Sequence, residues 1–297
     1  MTRGGAARRW RGMAAVAVLA MLAVGACAAP SSGGAAAPAP LTSTSATTTG
    51  SGPTASTPSP SATSSGHPAN PVVARCGLPN AAATPIRIGG PAGNTLTGAV
   101  VGTGPTVAVF VHETGRQGLC GFWPYAVWLG GQGVRSVLLD LCGHGDSRCD
   151  LGSEFAGDLP TQVAMAVAWV RAHGARRVAL VGASMGGTAV TVTAQRVHAD
   201  AVVDLSGPVE FLGMDTAKAL PRLTMPTLVV AADNDPDTDA GRLRELVAAA
   251  PARHKRFLPV GSGHGWDTLA AGPFPGDGFS AVAVVVRDWV LGRYGTA

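Results

Sequence analysis

The sequence has 297 residues, of which 46% are hydrophobic and 13% charged, and a formal net charge of +4. Arg3, Arg8, Arg9 and Arg11 account for all of that charge and no acidic residue lies among the first 26, so the rest of the chain is formally neutral. A neutral body excludes the basic footprint of a nucleic-acid binder or of a protein adsorbed on anionic lipid.

In chain order, the four arginines precede an uncharged apolar stretch from Met13 to Ala26, too short to span a bilayer comfortably. It ends Val24-Gly25-Ala26-Cys27, small residues before a cysteine, and resembles a bacterial lipoprotein signal. That resemblance implies cleavage of residues 1–26, lipid on the Cys27 thiol, and export to the outer face of the cytoplasmic membrane; an ordinary secretory signal is the alternative. Residues 27–75 are rich in Ser, Thr, Pro, Ala and Gly, with no Asp, Glu or Lys and a first arginine only at Arg75. Such a segment buries too little apolar surface to offset its ordering entropy, and reads as a disordered tether. Residues 76–297 are long enough for one α/β domain.

Within that domain short apolar runs alternate with amphipathic stretches, which predicts a mainly parallel sheet with helices on both faces. Strands are expected around Ile86–Ile88 and at Leu96–Val101, Thr106–Val111, Ser136–Leu141, Arg177–Val181, Ala201–Leu205 and Thr227–Ala231, with a further short apolar run at Phe257–Val260. Near-continuous runs such as Val107-Ala108-Val109-Phe110-Val111 suit strands buried on both faces. Helices are expected at Phe122–Gly131, Leu159–His173, Gly187–His198, Gly241–Ala250 and Ser280–Leu291.

Apart from Cys27 the cysteines are Cys76, Cys120, Cys142 and Cys149. An even number in an exported chain predicts two disulfides, with three connectivities open. Cys142 and Cys149 bracket a glycine-rich loop and can close a short ring, which leaves Cys76 for Cys120. Zinc is the competing use, but neither Cys-x-x-Cys nor clustered histidines support it.

The chemistry centres on Gly182-Ala183-Ser184-Met185-Gly186, directly after the apolar run Val178–Val181. Gly-x-Ser-x-Gly at the end of a buried strand is the pattern of a nucleophile elbow, a tight strand-to-helix turn that lifts one serine hydroxyl clear of the sheet. In a chain with 41 glycines the pentapeptide alone is weak, and its context carries the weight. A serine nucleophile needs a base, and the base an orienting acid, in the chain order Ser, Asp or Glu, His. Asp235 follows the run Val229–Ala232, and His264 lies in Gly263-His264-Gly265-Trp266 after Phe257–Val260.

From about residue 105 to 290 the chain resembles an α/β-hydrolase. Asp140-Leu141-Cys142-Gly143-His144-Gly145-Asp146-Ser147 is similar to that family's loop after the fourth strand, and Val111-His112-Glu113-Thr114-Gly115 to its His-Gly segment after the third. The resemblance implies an α/β-hydrolase fold with Ser184 as nucleophile, His264 as base and Asp235 as acid. It also implies oxyanion donors from the backbone of Met185 and of Thr114 or Glu113. Asp233 competes with Asp235, which precedes a proline as in the family, and Asp204, at the preceding strand end, is a further alternative acid. Two departures stand out: Glu113 replaces a glycine, placing a carboxylate where it would oppose an oxyanion unless turned away or paired, and Cys142 replaces an arginine. Few residues separate Ser206 from Met225, where many relatives insert a cap, so an open cleft without a large cap domain is expected. His112 and His144 are expected in structural roles, Trp123 and Trp128 in the core, and Trp266 against substrate.

The expected activity is hydrolysis of a small-molecule or lipid carboxylic ester through an acyl-enzyme, with no metal or organic cofactor. The membrane is met only through the lipid anchor, and no nucleic acid is involved. Acyl transfer or perhydrolysis on the same residues, or a non-catalytic binding protein of the same fold, are the alternatives.

Overall fold

The computed structural model describes residues 71–77, 82–115, 117–272 and 278–295. The signal segment, Cys27 and nearly all of the tether lie outside the described residues. Eight strands form one sheet: β1 Ala83–Gly89, β2 Thr95–Val101, β3 Thr106–Val111, β4 Arg135–Asp140, β5 Arg177–Ala183, β6 Ala201–Leu205, β9 Thr227–Ala232 and β10 Lys255–Val260. Their order is β1-β2-β4-β3-β5-β6-β9-β10. Only β2 breaks the parallel arrangement, running antiparallel to both neighbours, β1 and β4. The central strands β3, β5, β6 and β9 are buried almost throughout, as their unbroken Val, Leu and Ala runs require when both faces are covered.

Helices α3 Glu154–Gly157, α4 Leu159–Ala172, α5 Met185–Ala194 and α7 Ala240–Ala249 bury their apolar stripes on one face, where Val163, Val167, Val190 and Leu243 meet the strands. Helices α2 Trp123–Gly130 and α8 Ala281–Val290 cover the other, with Phe122, Leu129, Ala283 and Val286 in the core. Two of the predicted helix starts rest on side-chain caps. The Asp158 carboxylate accepts from the Thr161 N–H at 3.0 Å with Pro160 in the first turn of α4, and Ser280 caps α8. Helix α5 departs from its expected span: it starts directly after Ser184 and ends short of His198. There the Ala199 N–H returns to the Ala194 carbonyl with His198 left-handed at φ 50°, which closes the helix.

The folded region begins earlier than composition suggests. Residues placed in the tether form α1 Pro71–Cys76, which buries Val72 to 1% exposure and carries Arg75 onto the buried Asp140. Cys76 is bonded to Cys120 and Cys142 to Cys149, with Cα separations of 5.1 and 5.5 Å. The first ties α1 to the 3-10 turn Gly118–Phe122, and the second closes the loop after β4. Between Ser206 and Met225 no helical cap is inserted. The chain makes the two-residue strands β7 Glu210–Phe211 and β8 Met214–Asp215, then α6 Thr216–Ala219 and a 3-10 turn, Leu220–Arg222.

Candidate active site

The carboxyl ends of β3, β5, β6, β9 and β10 point the same way because these strands are parallel, and the loops that follow them carry Ser184, Asp235 and His264. Ser184 sits between β5 and α5 at φ 48°, ψ −118°, a conformation of high backbone energy for a side-chain-bearing residue. The turn is tight enough that a Cβ on Gly182 would collide with the Gly186 carbonyl, and one on Gly186 with the Val111 carbonyl. The Ser184 N–H donates to the Leu205 carbonyl at 2.8 Å, which pins the elbow to the end of β6. Its Oγ makes no hydrogen bond to another described residue; without substrate, serine–base contacts are often long. Met185 opens α5, so its N–H is among the helix-start donors that lack an intrahelical acceptor.

His264 Nδ1 donates to Asp235 Oδ2 at 2.7 Å, with the Asp235 side chain 1% and the His264 side chain 28% exposed. Asp235 Oδ1 accepts from the Asp237 N–H at 3.0 Å, and the Thr238 hydroxyl lies 3.0 Å from both Asp235 Oδ2 and the Ser206 carbonyl. Burial works against ionisation of this carboxyl, but the bonds from His264 and Asp237 outweigh it and hold the group below its ordinary range. Holding the proton on Nδ1 leaves Nε2 as the free acceptor. Thr238 is absent from the sequence reading; its signal is its place three residues after Asp235 in a turn rich in aspartate.

The other acids are engaged elsewhere. Asp233 pairs on the surface with Arg244 at 3.0 Å. Asp204 is 1% exposed and accepts from the Gly207 N–H at 2.7 Å and the Thr191 hydroxyl at 3.0 Å. Burial raises it to about 6 despite those donors. Among the described residues, Asp235, Asp237 and His264 are the group whose ligand atoms lie close enough together, within 4.8 Å, to hold a metal ion. Both Asp235 oxygens and His264 Nδ1 are already committed to one another's network, which suits an acid–base pair better than a metal centre.

Behind β3, His112 donates from Nδ1 to the Glu113 carbonyl at 2.6 Å and accepts from the Leu141 N–H at Nε2, 3.0 Å away. Burial lowers it to about 4, so it stays neutral and serves as a strut between the loops after β3 and β4. His144 packs against it with ring centroids 4.6 Å apart. Thr114 is exposed in the turn that follows, and Glu113 is half-buried. The Glu113 side chain is turned onto the His264 loop: its Oε2 is buried without a hydrogen-bond partner, and a Cβ on Gly265 would collide with it. Burial pushes this carboxyl up to about 7, opposed by the nearby His264 and reinforced by Asp267, so below that pH the group is mostly the neutral acid.

Trp266 does not line an open cleft. It is 6% exposed, lies edge-on to Phe122 with centroids 5.6 Å apart, and covers Gly121, where a Cβ would enter its ring. Its apolar area is spent on the core between the His264 loop and α2, the reverse of the expected substrate contact. Trp123 is fully buried and Trp128 stacks on Tyr125, both in packing roles.

No protein-family model and no curated protein sequence matches the chain. Solved structures do. An esterase of Pyrococcus furiosus superposes with a TM-score of 0.59 at 12% identity, over 72% of this chain and 92% of its own. A dienelactone hydrolase from Anabaena variabilis gives 0.56 at 19% identity, over 71% and 98%. A cold-adapted esterase from an Arctic intertidal metagenomic library gives 0.54 at 19%, over 70% and 93%. The fold is that of the α/β-hydrolases. At these identities the likeness speaks to the α/β-hydrolase architecture, and the chemistry rests on the geometry above.

Proposed function

We propose that this chain is an extracytoplasmic serine hydrolase, anchored by lipid on Cys27, that cleaves a carboxylic ester through an acyl-enzyme. In this reading Ser184 Oγ attacks the ester carbonyl while His264 Nε2 takes its proton. Asp235 holds the Nδ1–H tautomer and stabilises the imidazolium that forms. The oxyanion is met by the Met185 N–H at the start of α5 and by an N–H of Glu113 or Thr114 after β3. His264 then protonates the departing alkoxide, activates water against the acyl-enzyme, and the acid leaves. The chemistry calls for no cofactor, and the substrate is a small-molecule or lipid ester. The disulfides Cys76–Cys120 and Cys142–Cys149 suit an oxidising compartment.

The observation that carries the reading is the 2.7 Å bond from His264 Nδ1 to a buried Asp235, on loops that follow two neighbouring parallel strands, with Ser184 on an elbow at φ 48°. The test is a fluorophosphonate probe followed by peptide mapping. Labelling of intact protein is expected at Ser184, abolished in Ser184→Ala and strongly slowed in His264→Ala. Equal labelling of Ser184→Ala removes the nucleophile assignment. Mass spectrometry of the exported protein tests the anchor, with diacylglycerol expected on an N-terminal Cys27.

A further inference from the structure

A cleft of about 610 Å³ lies between α5 and the stretch from β8 to Leu223. None of its lining residues is Ser184, Asp235 or His264. We propose that this cleft binds an amphipathic carboxylate, a single carboxyl group carrying a hydrocarbon tail. Its apolar wall is Pro160, Val192, Met214 and Leu223, the last two 7% and 1% exposed. Three cations also line it, Arg196, Lys218 and Arg222. The Lys218 ammonium is balanced by Asp215 at 2.7 Å, whereas Arg196 and Arg222 have no ion-pair partner among the described residues. Both arginines are exposed and free of a carboxylate partner beside the apolar wall, so they can reach an anion seated there, and planar donors of this kind suit a carboxylate. The volume falls in the range of small-molecule sites, and the wall is formed before any ligand arrives. The Thr188 hydroxyl donates to the Pro208 carbonyl at 2.8 Å, the Thr216 N–H to the Val209 carbonyl at 2.8 Å, and the Thr224 N–H to Gln195 Oε1 at 3.2 Å. At the tip of the β7–β8 hairpin Leu212 is 72% exposed and left-handed at φ 48°, next to Gly213 of the cleft, an apolar contact for a tail at the mouth.

The proposal does not depend on the serine chemistry, and its test is a binding measurement. Intact protein is titrated calorimetrically with octanoate, with octanol and acetate as controls at matched ionic strength. One octanoate per chain is expected, with octanol and acetate each bound far more weakly. The double variant Arg196→Gln/Arg222→Gln is expected to weaken octanoate by about tenfold or more, and Val192→Asp, folded by circular dichroism, to abolish its binding by like-charge repulsion. Neither variant is expected to alter fluorophosphonate labelling at Ser184. Octanoate affinity unchanged in the double variant, or equal affinity for acetate, overturns the proposal. So does a double-variant effect that appears only with phosphatidylglycerol vesicles, which would make the surface a membrane contact.

Discussion

Glu113→Gln isolates the most unusual electrostatic feature of the site, a carboxyl whose buried oxygen has no hydrogen-bond partner. The folded protein raises this group from its ordinary 4.5 to about 7. At about 1.4 kcal/mol per pH unit the difference is worth roughly 3 kcal/mol, discounted to roughly 2 because the side chain is only half-buried and partly screened by water. The sign follows from proton counts. Between pH 4.5 and 7 the unfolded chain has lost this proton while the folded protein keeps it, so the group's contribution to stability falls as pH rises through that window. Above it the folded protein holds a buried carboxylate at full cost. Glutamine has no such titration, and any fixed cost of its amide is the same at every pH. The stability of Glu113→Gln relative to wild type is therefore expected to rise by roughly 2 kcal/mol between about pH 4 and about pH 8.5. In a domain of this size that is a Tm difference of about 4–8 °C. Calorimetric melting of both proteins across that range is the assay. Parallel curves, with a constant offset, would refute the argument, because they would mean that Glu113 ionises in the folded protein as it does in the unfolded chain.

Asp235→Asn, which keeps the shape but not the charge that orients His264, is expected to lower ester turnover by roughly 10³–10⁴, while Asp233→Asn, altered at a surface pair, leaves it within a few-fold; the comparison is read from kcat on a nitrophenyl ester. Gly187→Ala, a change that normally favours a helix, is expected to destabilise by about 2 kcal/mol or more, because its Cβ would strike the buried Asp204 carboxylate. Denaturant melts decide it, and a more stable variant would mean that Asp204 can move aside. Removing the Cys76–Cys120 bridge, whose ends are 44 positions apart, is expected to cost about 4 kcal/mol, and the Cys142–Cys149 bridge, 7 positions apart, about 2, from chain entropy alone. Paired Cys→Ser variants measured by urea unfolding test that order.

The sheet was legible because the signal is local: Val and Leu runs between amphipathic stretches admit few arrangements other than parallel strands under two helical layers. The elbow was legible in part for a similar reason, since a Cβ at Gly182 would strike the turn's own Gly186 carbonyl, although the glycine at Gly186 answers to the Val111 carbonyl on β3. What sequence reasoning missed depends on contacts between distant residues. Helix α1 looks like tether by composition, yet Val72 finds a place in the core and Arg75 finds Asp140, 65 residues away. Trp266 looks like a substrate contact by its distance from His264, and its ring turns inward because Gly121 leaves room for it. Glu113 looks hostile to an oxyanion. It is turned aside because Gly265, the residue after His264, has no Cβ to block the carboxyl, and burial there favours the neutral acid. Each of these outcomes is decided by a glycine or an ion pair on another element, so no window of neighbouring residues contains it. The consequence for Gly265 is specific. Any side chain there would expel the Glu113 carboxyl from the His264 loop, returning a charged group to the region where the oxyanion is proposed to form.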